Sequence, residues 1–131
     1  MKRLAVFNVL VLVFLIGGMA YAKDYEVKKT VGEYDVEIRI DKSQPVVGDN
    51  NIEIGIKDTS GKYVTDAKVR VEYSMSAMPG MPAMNYKTDA VLKNYKHRAT
   101  MNLSMSGSWD IAVKITRGGK TTKVKFNVDA S

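Results

Sequence analysis

Cysteine is absent from this 131-residue chain, and histidine occurs once, at His97. Without cysteine there is no disulfide, no thiolate metal centre and no thiol nucleophile. With one imidazole and no serine in a nucleophile-elbow context, a catalytic triad cannot be assembled. The glycines sit in turn-like contexts and form neither a phosphate-binding loop nor a dinucleotide fingerprint. No enzymatic activity is expected. A basic stripe is missing too: lysines and arginines are scattered beside acids, as in Glu37 with Arg39 and Arg70 with Glu72. That pattern is a solvated surface and speaks against a nucleic-acid partner. No segment of useful length repeats its apolar residues every 3.6 positions, so helix should be scarce.

What is present begins with a leader. Lys2 and Arg3 precede an apolar stretch from Leu4 to Ile16, interrupted by Asn8, and Ala20-Tyr21-Ala22 stands before Lys23. This is the pattern of a signal peptide over residues 1–22, and the apolar stretch is shorter than the ~20 residues a spanning helix needs. Cleavage after Ala22 is expected, giving a secreted, periplasmic chain with no stable membrane insertion; the alternative is a retained N-terminal anchor. Removing residues 1–22 takes away two cations and no acid, so the formal charge falls from +6 to +4. Residues 23–131 suit one domain with a modest core.

Within that domain apolar residues alternate with polar ones: Tyr34, Val36, Ile38 and Ile40; Ile52, Ile54 and Ile56; Val69, Val71 and Tyr73; Ala99, Met101 and Leu103; Trp109, Ile111, Val113 and Ile115; Val124, Phe126 and Val128. Each run reads as a half-buried strand. Turn signals separate them at 44–50, 58–61, 93–95, 106–107 and at Gly118-Gly119, the last resembling a tight hairpin. With weaker strands near Glu26–Val31 and Thr88–Leu92, about seven or eight strands are expected, and the fold should be all-β, an antiparallel immunoglobulin-like sandwich of about seven strands. Val36, Ile38, Ile54, Val71, Trp109, Ile111, Val113 and Phe126 should lie inside.

The stretch MSAMPGMPAM, from Met75 to Met84, does not fit this alternation. It places Met75, Met78, Met81 and Met84 at a spacing of three and inserts Pro79, Gly80 and Pro82. Proline is excluded from central strands, so the segment should be a loop of polyproline-like backbone. With three residues per turn, such a backbone would line the four methionines up in one row. Thioethers are neutral, polarizable ligands that select Cu(I) among common biological metals, and they carry no proton to lose near neutral pH. Sulfurs three residues apart along an ideal polyproline helix are roughly 9 Å distant, so the loop must bend, and Gly80 supplies the bend. Met105, in the LSMSGSW turn, is the candidate further ligand. His97, flanked by Lys96 and Arg98 near a turn, reads as a solvated surface residue rather than a copper ligand. The competing reading is a non-metal structural or interaction domain whose Met-Pro loop seals the sandwich or contacts a membrane efflux partner.

The leader, the small sandwich, the MPGMPAM loop and the ATMNLSMSGSWDIAVKI segment together resemble the YtkA-like domain, which is related to the FixH group and similar in outline to copper-resistance sandwiches of the CopC type. The resemblance covers about Val36 to Val128. It implies an exported or membrane-anchored bacterial protein associated with heavy-metal efflux or copper delivery to oxidases. By position it implicates Met78, Met81, Met84 and Met105, with Met75 beside them, in holding Cu(I). The chain departs from metal-richer relatives in lacking histidine within the loop, which favours Cu(I) over Cu(II). The expected partners are a copper ion and a membrane efflux or oxidase-assembly protein.

Overall fold

β-Branched and aromatic residues at every second position dictate pleated, one-face-buried strands, and nine of them form in the computed structural model, which describes residues 25–131. The signal peptide expected over residues 1–22 lies outside the described residues. The strands are β1 (Tyr25–Val31), β2 (Tyr34–Ile40), β3 (Gly48–Lys57), β4 (Lys68–Met75), β5 (Met84–Asp89), β6 (Val91–Lys93), β7 (Lys96–Leu103), β8 (Gly107–Arg117) and β9 (Lys120–Ala130). They build a five-stranded sheet of order β1-β2-β3-β7-β6 and a four-stranded sheet of order β5-β4-β8-β9, antiparallel throughout. Among the described residues no helix is long and apolar enough to cross a membrane.

The β2-β3-β7-β6 group facing β4-β8-β9 reproduces the four-plus-three arrangement of an immunoglobulin-like sandwich. Two strands stand outside that seven-strand arrangement, the first of them expected near Glu26–Val31. β1 adds to the outer side of β2, and β5 adds to β4. The run expected as one strand near Thr88–Leu92 is divided: β5 ends at Asp89 in one sheet, and Val91 begins β6 in the other. Ala90 marks the crossing, held by its N–H donating to the Val69 carbonyl at 2.9 Å.

Every residue expected inside is buried. Val36, Ile38, Ile54, Val71, Trp109, Ile111, Val113 and Phe126 all belong to one cluster between the sheets. Each buried aliphatic side chain contributes about 1.5–3 kcal/mol relative to exposure. The Gly118-Gly119 hairpin forms, Arg117 facing Lys120 across two residues with φ of 60° and 78°, the primed turn that matches strand twist. The long outer edge of β9 would invite strand addition. The β1 strand of the opposite sheet covers it: the Lys29 ammonium donates to the Lys125 carbonyl at 2.6 Å, and the Tyr25 hydroxyl to the Asn127 carbonyl at 3.0 Å.

One end of the sandwich gathers the β2–β3 loop, the β7–β8 turn, the end of β9 and the Met-Pro segment. Asn50, fully buried, ties the loop there, its amide donating to the Val46 and Gly48 carbonyls and accepting from the Val46 N–H. The opposite end carries the β6–β7 turn and the loop between β3 and β4.

Candidate metal centre

The Met-Pro segment is a hairpin, which corrects the expected polyproline row. Met75 faces Met84 as the last pair of β4 and β5, and Met78 faces Met81 in a second bridge closed by two hydrogen bonds, Met78 N–H to Met81 carbonyl at 3.0 Å and the reverse at 2.8 Å. The tip is Pro79-Gly80. Proline presets φ for the first central position of a type II turn, and Gly80, at φ 81°, takes the second, where other residues are strained. The prolines that exclude a central strand are therefore compatible with a turn and its flank at the edge of a sheet. The spacing of three becomes two cross-strand pairs, and directly opposed residues bring their Cβ atoms to about 4.5–5.5 Å.

The inner pair meets the β7–β8 turn. The Ser104 hydroxyl lies 3.5 Å from the Met84 sulfur, and the Tyr86 hydroxyl 3.8 Å from the same atom. A Cβ added to Gly107, whose φ is 130°, would stand 3.1 Å from the Met75 methyl, so the missing side chain is what admits Met75 there. Between Ser104 and Gly107 lies Met105, half-buried against the core, its carbonyl accepting from the Trp109 indole N–H at 3.0 Å. Met75, Met84 and Met105 thus belong to one locality. Met78 and Met81 stand outside it at the hairpin tip, 42% and 37% exposed.

An aromatic wall backs this locality. Tyr73 stacks on Tyr86 with centroids 5.5 Å apart, and both rings lie 6.1 Å from Trp109, which is fully buried. Sequence reasoning missed Tyr86 and Ser104 as neighbours of Met84. The available signal was that Tyr86 lies two residues beyond Met84 and so shares its face of β5.

His97 is a second correction. It is buried, not solvated, with its Nε2 3.2 Å from the Val64 carbonyl. Six residues of β7 separate it from Leu103, about 20 Å at strand rise, so it sits toward the other end of the sandwich. Among the described residues no group of three His, Asp or Glu side chains is arranged to hold an ion. The side-chain donors gathered at the methionine end are thioethers, which are soft ligands, with the Ser104 and Tyr86 hydroxyls beside them.

Fold and site together define an antiparallel immunoglobulin-like sandwich with a methionine hairpin and an aromatic wall at one end. The YtkA-like family model matches residues 18–114, and the chain belongs to that family. No curated protein matches it. Among solved structures it is similar to FetP of uropathogenic E. coli strain F11, recombinantly expressed in the periplasm of E. coli, at 12% identity and a TM-score of 0.53 over 82% of this chain and 95% of that one. At that identity the likeness is one of fold.

Proposed function

We propose that this protein is an exported copper handler that holds Cu(I) at the methionine end of the sandwich and buffers it or passes it to a membrane efflux or oxidase-assembly partner. The observation that carries the reading is the meeting of Met75 and Met84 with the Ser104–Gly107 turn that bears Met105. Membership of the YtkA-like family supports it.

The hairpin divides the labour. Met84, Met105 and Met75 form the inner, partly shielded set, and the exposed Met78–Met81 pair at the tip is the first point of contact for an incoming ion. A hydroxyl-to-thioether hydrogen bond is weak, so displacing the Ser104 and Tyr86 contacts from the Met84 sulfur costs a soft metal little. Tyr73 and Trp109 shield one side of this set, and the thioethers themselves disfavour hard competitors. Neutral ligands bind without releasing protons, so affinity should persist into acid until the fold fails.

The test is a Cu(I) competition titration against a chromogenic chelator. Met84→Leu/Met105→Leu keeps roughly the apolar volume and removes two sulfurs; it should fold as the parent does and lose most of its affinity. Parent-like binding by that variant overturns the copper reading. The exposure of Met78 and Met81 would then favour the second reading, a hairpin tip that grips a protein partner.

A further inference from the structure

The end of the sandwich opposite the methionines carries a second surface that the copper reading does not use. Val91 and Tyr95 are 68% and 67% exposed, with Leu92 and Tyr63 beside them. Tyr95 occupies the second central position of the two-residue turn joining Lys93 to Lys96, with Asn94 before it, and both residues have positive φ, 52° and 68°. Asn-Gly is the favoured pair in such a turn, and a bulky aromatic residue in the left-handed region is an outlier that stores strain. The strain holds a tyrosine ring outward. Tyr95 stacks on Tyr63 at 6.2 Å, and Tyr63 in turn receives the Lys57 ammonium 5.0 Å from its centroid and packs over Gly55 beside the Lys96 stem.

The charge around these rings is mixed, with cations in excess of acids. Lys57, Lys62 and Lys93 carry no ion pair among the described residues. Of the four acids close by, Glu37 pairs with Lys28 at 3.5 Å, Asp35 opposite Lys57 accepts from the Thr30 hydroxyl at 2.7 Å, and Glu53 is engaged by Lys96 at 3.5 Å and by Arg98 at 2.7 Å. Asp58 accepts from the Ser60 hydroxyl and from the Ser60 and Lys62 N–H groups. Val91 and Tyr95 project from a three-residue edge strand and its turn, outside the hollow that Tyr63 and Lys57 line with Asp35 and Glu37, and so suit a headgroup layer better than a peptide in a groove. Tyrosine with lysine is the pairing expected there, the ring at the interface and the ammonium on the phosphates.

We propose that Val91, Tyr95, Tyr63 and the surrounding lysines form a docking surface for an anionic phospholipid bilayer. Docked in this way, the sandwich stands with its methionine hairpin about 30 Å from the lipid, the length of the ten-residue β3, open to the aqueous space.

The experiment is co-sedimentation of the exported chain, its N-terminus verified by mass as Lys23 so that the apolar leader takes no part. The vesicles are phosphatidylglycerol–phosphatidylethanolamine on one side and phosphatidylcholine on the other. Binding should occur with the anionic vesicles alone and fall steeply as salt rises from 50 to 300 mM. Tyr95→Gly/Lys93→Glu/Val91→Ser changes exposed positions only and relieves the turn, so the variant should melt no lower than the parent and bind at least tenfold more weakly. Equal binding by parent and variant, or salt-independent binding to both vesicle types, overturns the proposal. Binding to polyglutamate but not to vesicles overturns it in favour of an acidic protein partner.

Discussion

The indole N–H of Trp109 donates to the Met105 carbonyl at 3.0 Å, so the turn that carries a candidate ligand is fastened to the largest ring of the core. Trp109→Phe removes the donor, leaves that carbonyl unpaired and opens space beside Tyr73 and Tyr86. An unsatisfied buried carbonyl costs about 1–3 kcal/mol and the lost volume adds to it. The expected fall in stability is about 2–4 kcal/mol, measured by urea unfolding followed by far-UV circular dichroism. A loss below about 1 kcal/mol would mean that the hydrogen bond does not hold the turn.

Gly107 is the other anchor of the locality. At φ 130° a side chain is strained, and an added Cβ would press on the Met75 methyl at 3.1 Å. Gly107→Ala should therefore destabilise the domain by about 1–3 kcal/mol. Adding Met75→Ala to it should recover only the part due to contact, because the backbone strain remains. Thermal melts of the four chains of that cycle separate the two causes, and full recovery would show that the strain is negligible.

His97 was open to a better reading from its own neighbours. Ala99, Met101 and Leu103 point inward, and position 97 has the same parity, so the alternation that identifies β7 places His97 inside and Lys96 and Arg98 outside. Flanking charges looked like a solvated setting but are what alternation produces. The strands and the core were legible because burial of one face imposes period two. The hairpin was not, because Pro79-Gly80 suits either a polyproline kink or a type II turn, and only cross-strand pairing decides between them. Nor could one chain direction reveal that Ser104 and Tyr86 meet at the Met84 sulfur, a contact made by the fold.

From that placement, His97→Ala should cost about 2–4 kcal/mol, since it leaves a cavity and frees the Val64 carbonyl. Cu(I) affinity of the folded variant should stay within about twofold of the parent, given the ~20 Å of strand between His97 and the methionine end. Loss of Cu(I) binding with an unchanged melting temperature is the contrary result.

Asp41 predicts the acid limb. Partial burial raises its pKa, but hydrogen bonds from the Lys42 ammonium, the Asn51 amide and the Asn51 N–H outweigh that and hold it below the ordinary 3.8. A carboxyl depressed in the folded state stabilises above its unfolded value and loses that contribution as pH falls through the folded one. Asp41→Ala should thus lower the melting temperature near neutral pH, with the gap from the parent full above about pH 5 and shrinking below 3.8. A gap independent of pH would assign the effect to the loop's packing instead.

The two methionine pairs differ in a way that oxidation can read without any affinity measurement. Thioether oxidation to sulfoxide follows access of the oxidant, and Met78 and Met81 are the exposed pair, Met75 is 5% exposed, and Met101 is fully buried. Brief treatment of the folded protein with hydrogen peroxide, followed by peptide mass mapping, should find sulfoxide first at Met78 and Met81, then at Met84 and Met105, and last at Met75 and Met101. Ag(I) is a redox-inert stand-in for Cu(I), and coordination engages one of the two thioether lone pairs, lowers the nucleophilicity of the other and crowds the sulfur, so its oxidation slows. Prior loading with one equivalent should protect Met84 and Met105 while Met101, outside the site, keeps its own rate. Protection confined to Met78 and Met81 would move the ion to the hairpin tip. Equal rates with and without Ag(I) would remove the methionine end from metal binding altogether.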